Sequence, residues 1–313
     1  MQTRSPTVVG RDREIESLHR LLAGARGGHG GAIFLVGEPG IGKSRLAATA
    51  TTEALDAGMT TLRGRVGAIG TMVAFRPFTE ALLSLIRRGE MPTTDGLGPY
   101  RQVLGRLVPD WDDGTAHDTA ASQVVLGEAV LRLLTLVSRD RGCLLVLEDL
   151  HGSDPETLAV IEYLLDNLED QPIALVATLR SETCAAYELA QLSAQRGTAE
   201  LGELQPLQRS EVAELAAGCL EVPVDGVPDQ LADQLWADSA GIPFIVEELL
   251  QEANRSGQLV SGTDGSVHVV DDLHTNVPPA VVRSIGSRTA QLGQQSRDIL
   301  VLAAVIGHRF PLS

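Results

Sequence analysis

Residues 32–45 read AIFLVGEPGIGKSR, from Ala32 to Arg45. The apolar run Ala32 to Val36 has the length and content of a buried strand. It opens into Gly37-Glu38-Pro39-Gly40-Ile41-Gly42-Lys43-Ser44, which meets G-x-x-x-x-G-K-[ST] at every fixed position. Arg45 to Asp56 then carries Ala and Leu at helical frequency. A strand, a glycine-rich loop and a helix in that order form the context in which this pattern cradles phosphate. The glycines let backbone N–H groups turn inward around an anion where side chains would block its approach. The helix adds the positive end of its dipole. Lys43 is expected to reach the β- and γ-phosphates of a nucleotide, and the Ser44 hydroxyl to ligate Mg²⁺.

A chain of 313 residues exceeds one typical domain. Apolar residues make up 43%, enough for a sizeable core, and aromatics only 3%. No apolar stretch is long enough to span a membrane, and MQTRSPTVVGRDRE has no apolar run of signal-peptide length. Cys143, Cys184 and Cys219 are dispersed and odd in number. That pattern fits the reducing cytoplasm and argues against a disulfide framework or a zinc site. The net charge of −16 and the lack of Lys/Arg clusters argue against direct DNA binding by this segment.

Outward from the loop, Val8-Val9-Gly10-Arg11-Asp12-Arg13-Glu14 leads into a periodic helix, Ile15 to Ala23. Thr60 to Val66 is a second strand. Pro77 to Arg88 has Phe78, Leu82, Leu85 and Ile86 on one helical face. Met91 to Gly98 reads as a loop, Leu104 to Trp111 as a short helix and Ala120 to Ser138 as a long one. Residues 67–118 carry no recognisable chemistry and are expected to pack beside the nucleotide core. Cys143 to Leu147 is a third strand ending in Glu148-Asp149, the Walker B pattern. Two acids at the end of a buried apolar run are costly unless something pairs with them. Placed opposite the phosphate loop, one holds Mg²⁺ and the other polarises the attacking water. By position Glu148 is the metal-side acid and Asp149 the water-side acid.

Ser153-Asp154-Pro155-Glu156 starts a helix that runs to about Leu168. Ile173 to Thr178 is a fourth strand, and Arg180 just beyond it is placed to sense the γ-phosphate. Ala199 to Leu204 is a fifth. Five strands with helices between them make an α/β, doubly wound parallel sheet of the P-loop NTPase kind. Past Pro206 helices dominate: Glu211 to Ala217 with Ser210 as cap, Pro228 to Ser239, and Phe244 to Ala253 after Gly241-Ile242-Pro243. Gly257 to Val270 alternates like a hairpin turning at Thr263-Asp264-Gly265. Two further helices, Ala280 to Leu292 and Arg297 to Ile306, follow.

The ordered islands VVGRDREIESL, LVGEPGIGKSRL, LLVLEDLHGSD, ALVATLRSE, GIPFIVEELL and VPPAVVRSIGSRTAQL resemble the STAND class of signalling ATPases. They are most similar to the ATPase module of large ATP-binding LuxR-type (LAL) bacterial transcriptional regulators. The resemblance implies a P-loop domain over residues 1–205, a small helical lid over 206–256 and the start of a winged helix over 257–313. Helical repeats and a DNA-reading helix-turn-helix lie beyond that point in the family. It implies ATP and ADP as ligands with Mg²⁺, an ADP-locked closed form, and self-association when ATP and an inducer bind. Gly37 to Arg45, with Lys43, Ser44, Glu148, Asp149 and Arg180, take the roles argued above. Val9, Gly10, Arg11 and Pro243 would flank the adenine. Where the family often has tryptophan after the Walker B histidine, this sequence has Gly152.

The expected function is therefore an ATP-dependent conformational switch with slow hydrolysis. The alternatives are an AAA-type motor or P-loop kinase, and a scaffold that keeps ADP without hydrolysing it.

Overall fold

The structure, a computed structural model, describes residues 5–67, 73–91, 96–108, 111, 123–261, 267–269, 278–289 and 292–306. By its contacts the chain forms two compact units, Gly10–Gln205 and Pro206 onward together with Ser5 to Val9.

The first unit contains the phosphate-loop strand. Its elements run α1 (Asp12–Arg26), β1 (Gly31–Val36), α2 (Lys43–Asp56), β2 (Thr60–Arg65), α3 (Arg76–Arg88), α4 (Tyr100–Leu104), α5 (Gln123–Ser138), β3 (Cys143–Glu148), α6 (Pro155–Asn167), β4 (Ile173–Leu179), α7 (Ala185–Arg196) and β5 (Glu200–Glu203). All five strands are parallel, in the order β2-β3-β4-β1-β5. β3 and β4 are buried along their whole length, as the continuous apolar reading of parallel strands requires. One face packs on α1 and α2, where Leu18, Leu22, Leu46 and Ala50 are buried. The other face presents Phe34, Leu145, Leu147, Leu175 and Ala177 to a cluster that includes Phe78, Leu82, Leu134 and Ile161.

Residues 76–88 and 123–138 belong to that same core. Phe78, Leu82 and Leu85 of α3, with its N-cap Phe75, are buried in that core, and α3 packs on β2. Gly64 makes the approach possible, since a Cβ there would lie 1.7 Å from the Pro77 carbonyl oxygen. The short helix expected over Leu104 to Trp111 instead ends at Leu104. Pro99 stands at its N-cap and Gly105 at its C-cap, so the chain's own start and stop residues move it upstream. α7 begins after an extended Cys184 without a side-chain cap, so no start residue marks it in the sequence.

In the second unit α8 (Arg209–Leu220), α9 (Asp229–Ser239) and α10 (Pro243–Arg255) pack on one another around Val212, Ala216, Leu231, Leu235, Val246 and Leu250. The cap of α8 is Gln208, not Ser210. Its side chain and that of Glu211 bond each other's backbone N–H groups reciprocally. The N-terminal segment ties in through the Ser5 N–H, which donates to Glu247 Oε1 at 3.3 Å. A short antiparallel pair, β6 (Leu259–Ser261) with β7 (Val267–Val269), forms the hairpin arms, whose turn lies outside the described residues. α11 (Pro279–Thr289) and α12 (Gln294–Ile306) complete the unit.

Candidate functional site

In an open parallel sheet the carboxyl ends of the strands share one edge. Register places Val36 of β1 beside Leu179 of β4, and Leu147 of β3 beside Ala177 of β4. The phosphate-loop sequence, the acid pair and Arg180 therefore all leave the sheet at the same edge.

The loop itself is built on positive-φ glycines, Gly40 at 85° and Gly42 at 113°. Gly42 is the N-cap of α2, and its carbonyl accepts from the Arg45 and Leu46 N–H groups at 3.0 and 3.1 Å. A Cβ at Gly42 would meet no atom within 4 Å, so the space beside the loop is open to an anion. Ile41, by contrast, is 1% exposed and packs beneath the loop. Lys43 is buried, and its Nζ donates to the carbonyls of Gly37 at 2.6 Å and Glu38 at 2.8 Å. Its pKa is lowered to about 8, chiefly by burial; the charge of Asp149 opposes the shift, Arg180 adds to it and Glu38 opposes it. Ser44, on the first turn of α2, is exposed. Arg45 lines a groove with His19, Thr49 and Glu53 between α1 and α2.

Glu148 and Asp149 occupy different environments. Glu148 is 2% exposed, and its carboxylate accepts from Arg63 Nε. Asp149 stands just past β3, in the left-handed region at φ 61°, and its carboxylate accepts from Arg65 Nε at 2.7 Å. The Asp149 N–H is held by Thr178 Oγ1 at 3.1 Å, from the buried end of β4. Asp149 is the acid whose field most supports the charge on Lys43. Arg180 pairs with Glu182 at 3.6 Å and acts electrostatically on both Lys43 and His151. Burial of the His151 imidazole lowers its pKa, Arg180 and Lys43 lower it further, and Asp149 and Glu182 oppose them.

Of the residues expected at the adenine, Gly10 and Arg11 belong to the first unit, Val9 and Pro243 to the second. Arg11 is buried at the start of α1. Its guanidinium donates to the carbonyls of Gly10 at 3.0 Å, Ile41 at 3.3 Å and Gln205 at 2.7 Å, bracing the end of the phosphate loop. Val9 packs against the apolar core of its own unit, and Pro243 opens α10. Arg63, Arg65 and Thr178 are not singled out in the sequence, and His151 is met there only as the Walker B histidine of the resemblance. The one available signal was the pair of arginines at alternate positions of an otherwise apolar or small strand, which puts both on one face.

The residues present fit a nucleoside triphosphate with Mg²⁺. The open cradle at Gly42 suits phosphate, and the exposed Ser44 hydroxyl with one carboxylate is the sparse ligand set that Mg²⁺ takes beside phosphate oxygens. The buried Nδ1 of His151 has no protein partner.

Comparison with known proteins agrees with this geometry. The model of the AAA ATPase domain matches residues 7–176, more than half of the chain. An uncharacterized protein of Rhizobium meliloti (strain 1021) is 24% identical over 97% of this chain, which spans only 30% of that relative's length. The Walker-type ATPase PABY2304 of Pyrococcus abyssi superposes with a TM-score of 0.56 at 12% identity, covering 97% of this chain and 79% of that one. The ORC2 protein of Aeropyrum pernix, solved as ADPNP–ADP complexes, gives a TM-score of 0.52 at 15% identity over 90% of this chain and 69% of the other. At these identities the structural likenesses speak for the fold alone. On the family match, residues 7–176 are an AAA ATPase domain, and the chain belongs to the AAA ATPase domain family of P-loop ATPases.

Proposed function

We propose that the chain is an ATP- and ADP-binding conformational switch that hydrolyses ATP slowly, the regulatory ATPase module of a LuxR-type (STAND) transcriptional regulator in the cytoplasm. The observation that carries the nucleotide reading is the meeting of Lys43, Asp149 and Arg180 at one sheet edge beside the Gly42 cradle. The regulator reading is supported by the six ordered sequence islands and by the relative more than three times as long as the matched segment.

Each residue then has a task. Backbone N–H groups of Gly40 to Ser44 bind the β-phosphate, and Lys43 moves from the Gly37 and Glu38 carbonyls onto the phosphate oxygens. Ser44 and Glu148 would hold Mg²⁺, which would supply neutralisation of phosphate charge. Asp149 orients the attacking water and accepts its proton. Arg180 counters charge on the γ-phosphate and reports its loss. Gly10 and Arg11 border the base. Slow turnover is consistent with the acids: both carboxylates are occupied by Arg63 and Arg65, and each must give up that partner to work.

The test is nucleotide binding and size measured together. ATP analogue and ADP should both bind with Mg²⁺, with self-association in the analogue state only. A ring of constant size in every nucleotide state would favour a motor and remove the switch.

A further inference from the structure

Among the described residues, three buried side-chain polar atoms have no hydrogen-bond partner: His151 Nδ1, Ser153 Oγ and Ser193 Oγ. Two of the three lie in one turn, Asp149–Ser153. The same turn holds a non-glycine residue in the left-handed region, Asp149 at φ 61°. Folded proteins pair nearly all such atoms, so a cluster of exceptions marks a place shaped by something other than stability.

The chemistry around the imidazole says what that something is. His151 sits in the field of two cations, Arg180 and Lys43, and of two acids, Asp149 and Glu182. Lys43 and Arg180 are the cations already assigned to the terminal phosphate. A neutral imidazole beside them repels neither cation and offers an N–H to an anion that both attract. The backbone also permits adjustment. The turn Leu150–Gly152 is closed by a long tie, Gly152 N–H to the Asp149 carbonyl at 3.3 Å, and one of ordinary length, Ser153 N–H to the Leu150 carbonyl at 2.9 Å.

We propose that His151 is a further nucleotide-contacting residue, whose Nδ1–H donates to an oxygen of the terminal phosphate of a bound nucleoside triphosphate. This rests on the nucleotide reading above and adds to it a group that tells triphosphate from diphosphate. Because Nδ1 is shielded, the contact requires the imidazole to turn or the Asp149–Ser153 segment to shift. Either movement gives the orphaned atom a partner.

Three variants separate this from a packing role. Asn places its amide nitrogen where Nδ1 stands, Gln reaches instead toward the Nε2 position, and Leu has neither. Calorimetric titration with a non-cleavable Mg²⁺–ATP analogue and with Mg²⁺–ADP is the measurement. H151L and H151Q are expected to lose about tenfold in analogue affinity, the worth of one hydrogen bond to a charged group, with ADP affinity unchanged. H151N is expected to recover most of the loss. In the wild-type protein the imidazole ¹⁵Nδ1 resonance should move on adding analogue and stay on adding ADP, a readout that needs no variant to fold. Equal losses for both nucleotides, or wild-type affinity in H151L, would overturn the inference while leaving nucleotide binding intact. A wild-type protein that binds neither nucleotide would instead overturn the nucleotide reading itself.

Discussion

At the scale of the residue, Lys43 and the acid pair carry the sharpest expectations. K43A should abolish binding of ATP and ADP, seen as loss of any calorimetric signal, since it removes the ammonium that reaches into the loop at the Gly37 and Glu38 carbonyls. The pKa of Lys43 has a pH consequence with a definite sign. It lies at about 8, below the ordinary lysine value, mainly because the side chain is buried. A polyphosphate requires the ammonium form, so affinity should be flat below that pH and fall above it, by up to about tenfold per unit. The stability sign is the opposite. Between about 8 and the ordinary value the unfolded chain binds the extra proton, so stability rises with pH there, and below that window the buried charge is a standing cost. K43M should therefore melt higher than the wild type at pH 7; a lower melting point would show that Lys43 stabilises the loop more than its burial costs. Arg65 offers a second test. Its pair with Asp149 is largely exposed, worth at most about 1 kcal/mol, so R65A should leave melting nearly unchanged. Freeing Asp149 should raise the hydrolysis rate up to about fivefold. A fall in rate would make Arg65 part of the machinery and not a restraint on it.

At the scale of the element, close approach matters more than pattern. β2 reads as an ordinary half-buried strand, yet Gly64 is there because α3 lies against it. G64A should destabilise the protein by at least about 2 kcal/mol in denaturant unfolding, because the clash is with backbone that no rotamer change relieves. A change within experimental error would mean that α3 slides freely on β2. The elements legible in the sequence were those with long apolar runs or explicit punctuation: β1, β3 and β4 from their composition, α6 from Asp154 and Pro155. Asp154 accepts from the Thr157 N–H at 2.8 Å, as a helix-starting acid should. The misplaced elements carried weaker marks. α4 is short and sits between Pro99 and Gly105, and α8 is capped by a glutamine, which seldom serves as a cap. E211A should remove half of that reciprocal pair and cost about 1 kcal/mol in the second unit, read by hydrogen exchange along α8.

At the scale of the whole molecule, the switch reading makes one prediction that separates it from its rivals. Light scattering with Mg²⁺ should give a larger species with a non-cleavable ATP analogue than with ADP, and the difference should vanish in K43A. What the sequence determined by itself was the phosphate loop, the Walker B acids and the parallel α/β class. Each is encoded within about a dozen neighbouring residues, where backbone freedom, helix dipole and hydrophobic run act locally. The tertiary structure alone decided who partners those residues: Arg63 on Glu148, Arg65 and Thr178 on Asp149, Arg11 on the Ile41 carbonyl, and nothing on His151 Nδ1. Those contacts follow from strand order and register, and the strand order β2-β3-β4-β1-β5 sets side by side residues that lie far apart in the chain.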